Sequence, residues 1–290
     1  MKNLFGYEGK NVVVTGAASG MGKAAAELLV DLGAKVYALD WAEVKVDGIE
    51  KYIHTDLSKK ESIDNAFNQI PERIDSYFGI AGVSGVTCDF LTTTKIDLIS
   101  NKYITEEILV NRIPEGGSIA YMTSTAGIGW ELEANKKHYL PIVNANGWDE
   151  TVEILSKTML VHLPGNLGYK FSKLAMNYLV GKYQSMFASR KIRVNAVLPG
   201  STDTGLTNDF TKLTGGVDNL LKYTGYAQRL AQPIEMAAPI VFLNSALSSY
   251  VSGDLMIVDY GSSIEVTAEI KEDPTSITFD QIFQMLAQRK

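Results

Sequence analysis

Short β-branched runs alternate with amphipathic stretches along this chain, the pattern of a parallel sheet covered on both faces. Asn11–Thr15 (NVVVT) reads as a strand ending in a glycine loop. Met21–Leu32 follows as a helix, with Leu28, Leu29 and Leu32 on one face and Gly33 as its stop. Lys35–Asp40 (KVYALD) and Lys51–His54 are the next strands, joined by a connection too poor for a helix. Ser58 is expected to open a helix, with Glu61 completing a capping box. Asp75–Ile80 and Gly117–Thr123 read as strands, with Asp97–Ile113 helical between them. A long amphipathic helix spans Tyr169–Arg190, and the strand Arg193–Leu198 stops at Pro199-Gly200. Pro233–Leu243 is helical and Leu255–Asp259 is the last strand.

Three segments stand outside the alternation. Trp130–Leu167 is far longer than an ordinary loop. Thr204–Gln232 is a long connection rich in Leu206, Phe210, Leu213, Leu220, Leu221, Tyr223 and Tyr226. In the tail Pro274–Lys290, Phe279, Ile282, Phe283 and Leu286 fall at helical spacing, and Thr278 with Gln281 can cap them. With no repeat and no dividing linker, the reading is a single α/β domain with a Rossmann-type doubly wound parallel sheet. It carries a helical insertion before the Tyr169 helix and a tail helix. A nucleotide-binding domain is expected over 1–265, including an insertion at 131–166 and a substrate loop at 204–232, with 266–290 as the tail.

Composition narrows the function classes. The 290 residues are 46% apolar and 21% charged, enough to bury a full core. The 27 basic and 33 acidic residues give a net charge of −6, which argues against a nucleic-acid footprint. Cys88 is the only cysteine, so neither an internal disulfide nor a cysteine-based zinc site can form. No metal is expected, and His54, His138, His162 and Cys88 read as packing or surface residues. No apolar run approaches a bilayer span and Met1–Lys10 is no secretory signal, so a cytoplasmic protein without a membrane partner is expected.

The glycines of Thr15–Gly22 (TGAASGMG) lie between a strand and a helix, and that context suggests phosphate binding. Gly16 permits the tight turn, Gly20 lets backbone approach a pyrophosphate at the helix N-terminus, and Gly22 allows close helix–strand packing. Asp40 ends the second strand, where a carboxylate can accept both ribose hydroxyls of NAD and would repel a 2′-phosphate. Ser19 adds no cation to the loop; Lys23 is the nearest one and a weak counter-argument. The lesser alternative for Asp40 is a strand-end turn residue, while Asp56 is equally a contact to the adenine edge or a helix-entry residue.

Tyr169 and Lys173 are four apart and share a helix face. A free phenol is too weak an acid for work at neutral pH, and a nearby ammonium favours its phenolate. The pair is thus a plausible proton-transfer device, although such pairs are usually a solvated helix face. Ser124 lies at the C-terminal end of a strand, where open α/β sheets bind ligands and where a hydroxyl can hold a substrate oxygen. A lone serine there could also do no more than satisfy loop backbone.

Taken in order, TGAASGMG, Asp40, Ser124, Tyr169/Lys173 and Pro199–Thr204 (PGSTDT) resemble the short-chain dehydrogenase/reductase superfamily over roughly Lys10–Ile264. Val258-Asp259-Tyr260-Gly261 looks like its last-strand signature. The resemblance implies that Tyr169 is the general acid/base, that Lys173 lowers its pKa and binds the nicotinamide ribose, and that Ser124 orients the carbonyl or alcohol. Asn101 would hold a relay water, and Thr204 would contact the carboxamide. The cofactor contacts implied are Gly16, Ser19, Gly20, Met21, Gly22, Asp40, Trp41, Asp56, Leu57, Ala81, Gly82, Tyr169, Lys173, Pro199, Gly200, Thr202 and Thr204. Two features depart from the family. Ile80-Ala81-Gly82 replaces its Asn-Ala-Gly, which puts support of the sheet in question, and 45 positions separate Ser124 from Tyr169. That long insertion is similar to the bacterial 3α-hydroxysteroid dehydrogenase/carbonyl reductase branch.

The expected activity is NAD(H)-dependent hydride transfer to or from a carbonyl or secondary alcohol, with a hydroxysteroid or other bulky apolar molecule as substrate. A small carbonyl or sugar-derived substrate, or a catalytically silent NAD sensor, stands as the alternative. Trp130, Tyr139, Trp148, Phe210, Tyr223 and Tyr226 could wall an apolar pocket, or form a small core or a subunit contact. A homodimer or homotetramer is expected from the resemblance alone. The Phe279–Leu286 stripe could dock a partner, although packing on its own or a sister subunit suits it better.

Overall fold

In a computed structural model that describes residues 2–222, 224–272 and 277–288, seven strands form one parallel sheet. They are β1 (Asn11–Thr15), β2 (Lys35–Asp40), β3 (Lys51–His54), β4 (Ser76–Gly79), β5 (Ser118–Met122), β6 (Arg193–Pro199) and β7 (Leu255–Val258). Their order is β3-β2-β1-β4-β5-β6-β7. The chain reverses direction across the sheet between β1 and β4, where a crevice for a ligand opens at the strands' carboxyl ends. Thr15 is level with Leu39 on β2 and with Gly79 on β4, so these ends reach one edge together.

The strands read as continuous apolar runs because both faces are buried. Val12 and Val14 pack with Ala25, Leu29, Ala237 and Ile240 on one side, while Val13 joins Ile99, Leu174 and Leu179 on the other. The first face is covered by the helices Gly20–Asp31 and Pro233–Asn244. The second is covered by a continuous helical run over residues 90–112 and by the long helix Gly165–Phe187. The run over 90–112 contains two π turns, Lys95–Ile99 and Ile104–Leu109.

Several elements differ from the sequence reading. The helix expected at Ser58 begins at Lys60, and no side chain caps it. Ser58 instead gives both its amide and its hydroxyl to Asp56 Oδ1, at 3.0 and 2.6 Å, closing a local turn first. The helical run before β5 begins at Phe90, capped by Asp89, rather than at Asp97. The Tyr169 helix starts one turn early, at Gly165. The helix Ser262–Thr267 runs across the boundary expected at 265. The tail behaves as read: Thr278 and Gln281 form a capping box on the helix Phe279–Ala287. Tyr223 and the ends of the tail segment, Pro274 and Lys290, lie outside the described residues.

The insertion folds as two helices, Glu133–Val143 and Gly147–Ser156. Tyr139, Ile142, Trp148 and Leu155 join the main core, so the insertion has no separate core of its own. Lys102, 1% exposed, ties it down by donating to Glu106 and to the Ala145 carbonyl, each at 2.6 Å. Among the described residues no helix is long and apolar enough to cross a membrane.

Candidate active site

The glycine loop is shaped by close approach. Gly16 has φ +76°, and a Cβ there would lie 2.7 Å from the Ala81 Cα. A Cβ on Gly22 would fall 2.0 Å from the Gly16 carbonyl oxygen, so the helix can sit this near the strand only as glycine. Ser19 is the N-cap residue of that helix but makes no side-chain cap bond. Asp40 locks the loop from the neighbouring strand. Its two oxygens accept the amides of Ala18 and Ala42, each at 2.9 Å. A carboxylate offers about four acceptor positions, so two remain for ribose hydroxyls. Lys23, the one cation that argued for a phosphate, is paired with Glu27 at 3.0 Å.

Thr15 carries the support that the missing asparagine left in question. Its hydroxyl oxygen accepts the amides of Ile80 and Ala81, at 3.1 and 3.2 Å, and so ties the end of β1 to the chain leaving β4.

At the other end of the crevice, Gly127 joins Ser124 to the long helix. A Cβ on Gly127 would lie 2.6 Å from both the Lys173 carbonyl oxygen and the Asn177 Nδ2. Asn177 also donates to the Gly127 carbonyl at 2.9 Å. The insertion therefore loops out without parting the two halves of the site. Ser124 accepts the Ala126 amide at 3.1 Å, which leaves its own proton free to donate. It lies close enough to Tyr169 to favour the phenolate by hydrogen bonding.

Ser124 and Tyr169 line one cavity of about 1140 Å³. Met21, Pro199, Gly200, Thr202 and Thr204 line it too, so it runs from the glycine-loop helix to the phenol. Phe210 lies edge-on to the Tyr169 ring, with centroids 5.4 Å apart. Burial pushes the Tyr169 phenol up, Ser124 pulls it down, and the charge of Asp97 raises it again. The expected lowering by Lys173 does not govern the phenol in this site. The ammonium lies 5.2 Å from the ring centroid and donates to the Met122 carbonyl at 3.0 Å. Burial also drives the lysine's own pKa down, against the nearby Asp97 charge.

Other expected residues lie elsewhere. Asn101, expected to hold a relay water, has its Oδ1 accepting the Tyr77 hydroxyl at 3.0 Å. Asp97, one turn earlier on the same helical run, takes the place beside the lysine. A Cβ on Gly82 would lie 3.4 Å from Asp97 Oδ1 and 3.7 Å from Lys173 Nζ, so both groups flank one small space. An acid within the apolar run Ile96–Ile99 was the available sequence signal for Asp97. Asp56 is committed to its turn with Ser58 and pairs with Lys59 at 3.0 Å. Leu57 packs in the core, and Trp41 is 74% exposed beside His54. Of the aromatics considered for the pocket, Phe210 lines it. Tyr139 and Trp148 are core residues, Trp130 packs against Tyr178, and Tyr226 is 77% exposed.

The tail completes the cavity wall on its own chain. Ile277 and Thr278 line the cavity, and Phe279 packs fully buried against Phe171.

Comparison with known proteins agrees with this geometry. A family model described as short chain dehydrogenase matches residues 10–131, and one described as Enoyl-(Acyl carrier protein) reductase matches residues 134–263. A coniferyl-alcohol dehydrogenase of Pseudomonas sp. is 30% identical over 257 residues, covering 87% of this chain and 96% of the relative. The 3-alpha-hydroxysteroid dehydrogenase/carbonyl reductase of Comamonas testosteroni is 25% identical, covering 86% and 95%. The fold is shared with a 3-alpha-hydroxysteroid dehydrogenase from Pseudomonas sp. B-0831 complexed with NADH. The TM-score is 0.70 at 21% identity, covering 91% of this chain and all of the other.

Proposed function

The chain belongs to the short-chain dehydrogenase/reductase superfamily, oxidoreductases of alcohols and carbonyls that use a nicotinamide cofactor, and we propose that it works with NAD(H) on a bulky, largely apolar substrate. The observation that carries this reading is that Ser124 and Tyr169 share one large cavity with the glycine-loop helix. The residues present fit the cofactor. The glycines open backbone to a pyrophosphate, and Asp40 keeps acceptor capacity for a ribose while facing any 2′-phosphate with like charge. When bound, the nicotinamide supplies the hydride donor or acceptor.

The chain's own residues handle the proton and the orientation. The Ser124 hydroxyl donates to the substrate oxygen and holds it beside the Tyr169 phenol. In reduction Tyr169 gives its proton to that oxygen, and in oxidation the phenolate removes the alcohol proton. The Lys173 ammonium, 5.2 Å from the centre of the Tyr169 ring, would hold the cofactor's ribose hydroxyls. Leu132, Leu206, Phe210 and Ile277 bring apolar surface from the insertion, the 204–232 segment and the tail to the cavity, which suits a bulky apolar substrate.

Tyr169→Phe tests the reading. It should lower kcat by roughly 10²–10⁴-fold while NADH binding, followed by fluorescence, persists. Activity that survived the substitution would overturn the assignment, and binding without turnover of any carbonyl would favour a sensor.

A further inference from the structure

The most unusual charged group near the site is one that this mechanism does not use. Asp97 is 1% exposed, on the π turn Lys95–Ile99, a helix irregularity frequent at functional positions. Its Oδ1 accepts the Val83 amide at 2.8 Å. Its Oδ2 is buried and has no hydrogen-bond partner. A buried carboxylate oxygen without a partner is costly unless something compensates its charge. Lys173 is that compensation: it lies across the small space beside Gly82, but no hydrogen bond joins the two directly. Lys173 and Tyr169, both from the long helix packed on this turn, are the titratable groups whose charges bear on Asp97. The loop after β4 offers it an amide.

We propose that Asp97 is a positioning residue of the proton-transfer site, whose carboxylate, fixed by the Val83 amide and set across a small space from Lys173, holds the charge on that lysine and by its own charge opposes ionisation of the Tyr169 phenol. The proposal rests on the dehydrogenase reading of Tyr169. The signs follow from Coulomb's law. A negative charge here keeps the lysine protonated to higher pH and keeps the phenol neutral to higher pH. Burial pushes Asp97 up to about 7, against the pull of Lys173 and of the Val83 amide. The device is therefore engaged above about pH 7 and released below it.

Asp97→Asn keeps the shape and the acceptor for Val83 but removes the charge. It should move the pH profile of kcat/KM for alcohol oxidation to lower pH by about one unit or more. The variant and the unmodified enzyme should converge below about pH 7, where Asp97 itself takes up a proton. Asp97→Glu, which keeps the charge, should return the profile toward its original position. A second readout needs no turnover. The phenolate absorbance of Tyr169, taken against Tyr169→Phe, should appear at lower pH in Asp97→Asn. If that variant fails to fold, the smaller neutral Asp97→Ser carries the same comparison. A uniform loss of rate with an unmoved profile and an unmoved phenolate titration would overturn the proposal, as would a shift to higher pH. Failure of the dehydrogenase reading itself would show separately, as activity retained in Tyr169→Phe.

Discussion

The two sides of the strand-end crevice are built on opposite terms. On the glycine-loop side the working groups are backbone, and the one side chain that matters, Asp40, is partly exposed with both oxygens already paired. On the Tyr169 side the working groups are side chains, and those around the half-buried phenol are buried: Ser124 at 8% exposure, Lys173 at 5% and Asp97 at 1%. The first side can recognise a ligand without paying desolvation. The second holds its ionisable groups where burial moves every pKa and each charge is felt by its neighbours. Recognition and chemistry are thus assigned to different dielectric environments, and they should break independently.

The sharpest break is Tyr169→Phe, since it removes the proton donor and leaves the glycine loop untouched. Chemistry should fall by roughly 10²–10⁴-fold with cofactor affinity unchanged. The converse break is Asp40→Ala. Losing charge-assisted hydrogen bonds of ~1.5–3 kcal/mol should raise the Kd for NAD by roughly 10–100-fold and narrow the preference over NADP. Its kcat at saturation should stay near the original. Steady-state kinetics with both nucleotides checks this, and an original preference for NADP would defeat the reading of Asp40. A smaller effect is expected at the cavity wall. Phe210→Ala removes an edge-on aromatic contact worth about 0.5–1.5 kcal/mol, so KM for an apolar ketone should rise about 2–10-fold, with less change for a small one.

The same contrast explains what could be seen in the residues beforehand. Features that depend on local pattern were legible. All seven strands lie within a residue or two of their expected bounds, and the strand–glycine–helix turn and the capped tail helix are where the pattern put them. What was missed depends on packing. Helical periodicity assumes one register, and the π turn Lys95–Ile99 departs from it; Asn101 meets Tyr77 and Asp97 lies beside Lys173. The insertion's aromatics left pocket wall, small core and subunit contact all open, because nothing in their spacing says that Tyr139 and Trp148 join the main core. The phenol's environment was misjudged for the same reason: a pair four apart on a helix shows its ammonium but not its burial, and burial has the larger effect. Deleting residues 131–166 would therefore remove part of the core along with any pocket wall, and point changes at Leu132 or Phe210 are the cleaner probes of substrate choice.

The smallest expected effect lies at the tail, where an exposed ionic contact can be set against a buried apolar one. Asp280 accepts Lys137 at 2.7 Å and His138 at 2.8 Å, and these partners hold its carboxyl below the usual range. A carboxylate with a lowered pKa in the folded state stabilises above its unfolded pKa and loses that contribution as pH falls through the folded one. All three partners reach solvent, so salt screens the contact, whereas Phe279 beside them is fully buried. Asp280→Asn should leave the tail docked and raise amide exchange over Phe279–Ala287 only a fewfold at neutral pH. The difference from the original should vanish in acid, once Asp280 is protonated. If Asp280→Asn instead released the whole helix, the tail would be held by charge rather than by Phe279. The cavity wall at Ile277 and Thr278 would then be as sensitive to pH as the phenol it faces.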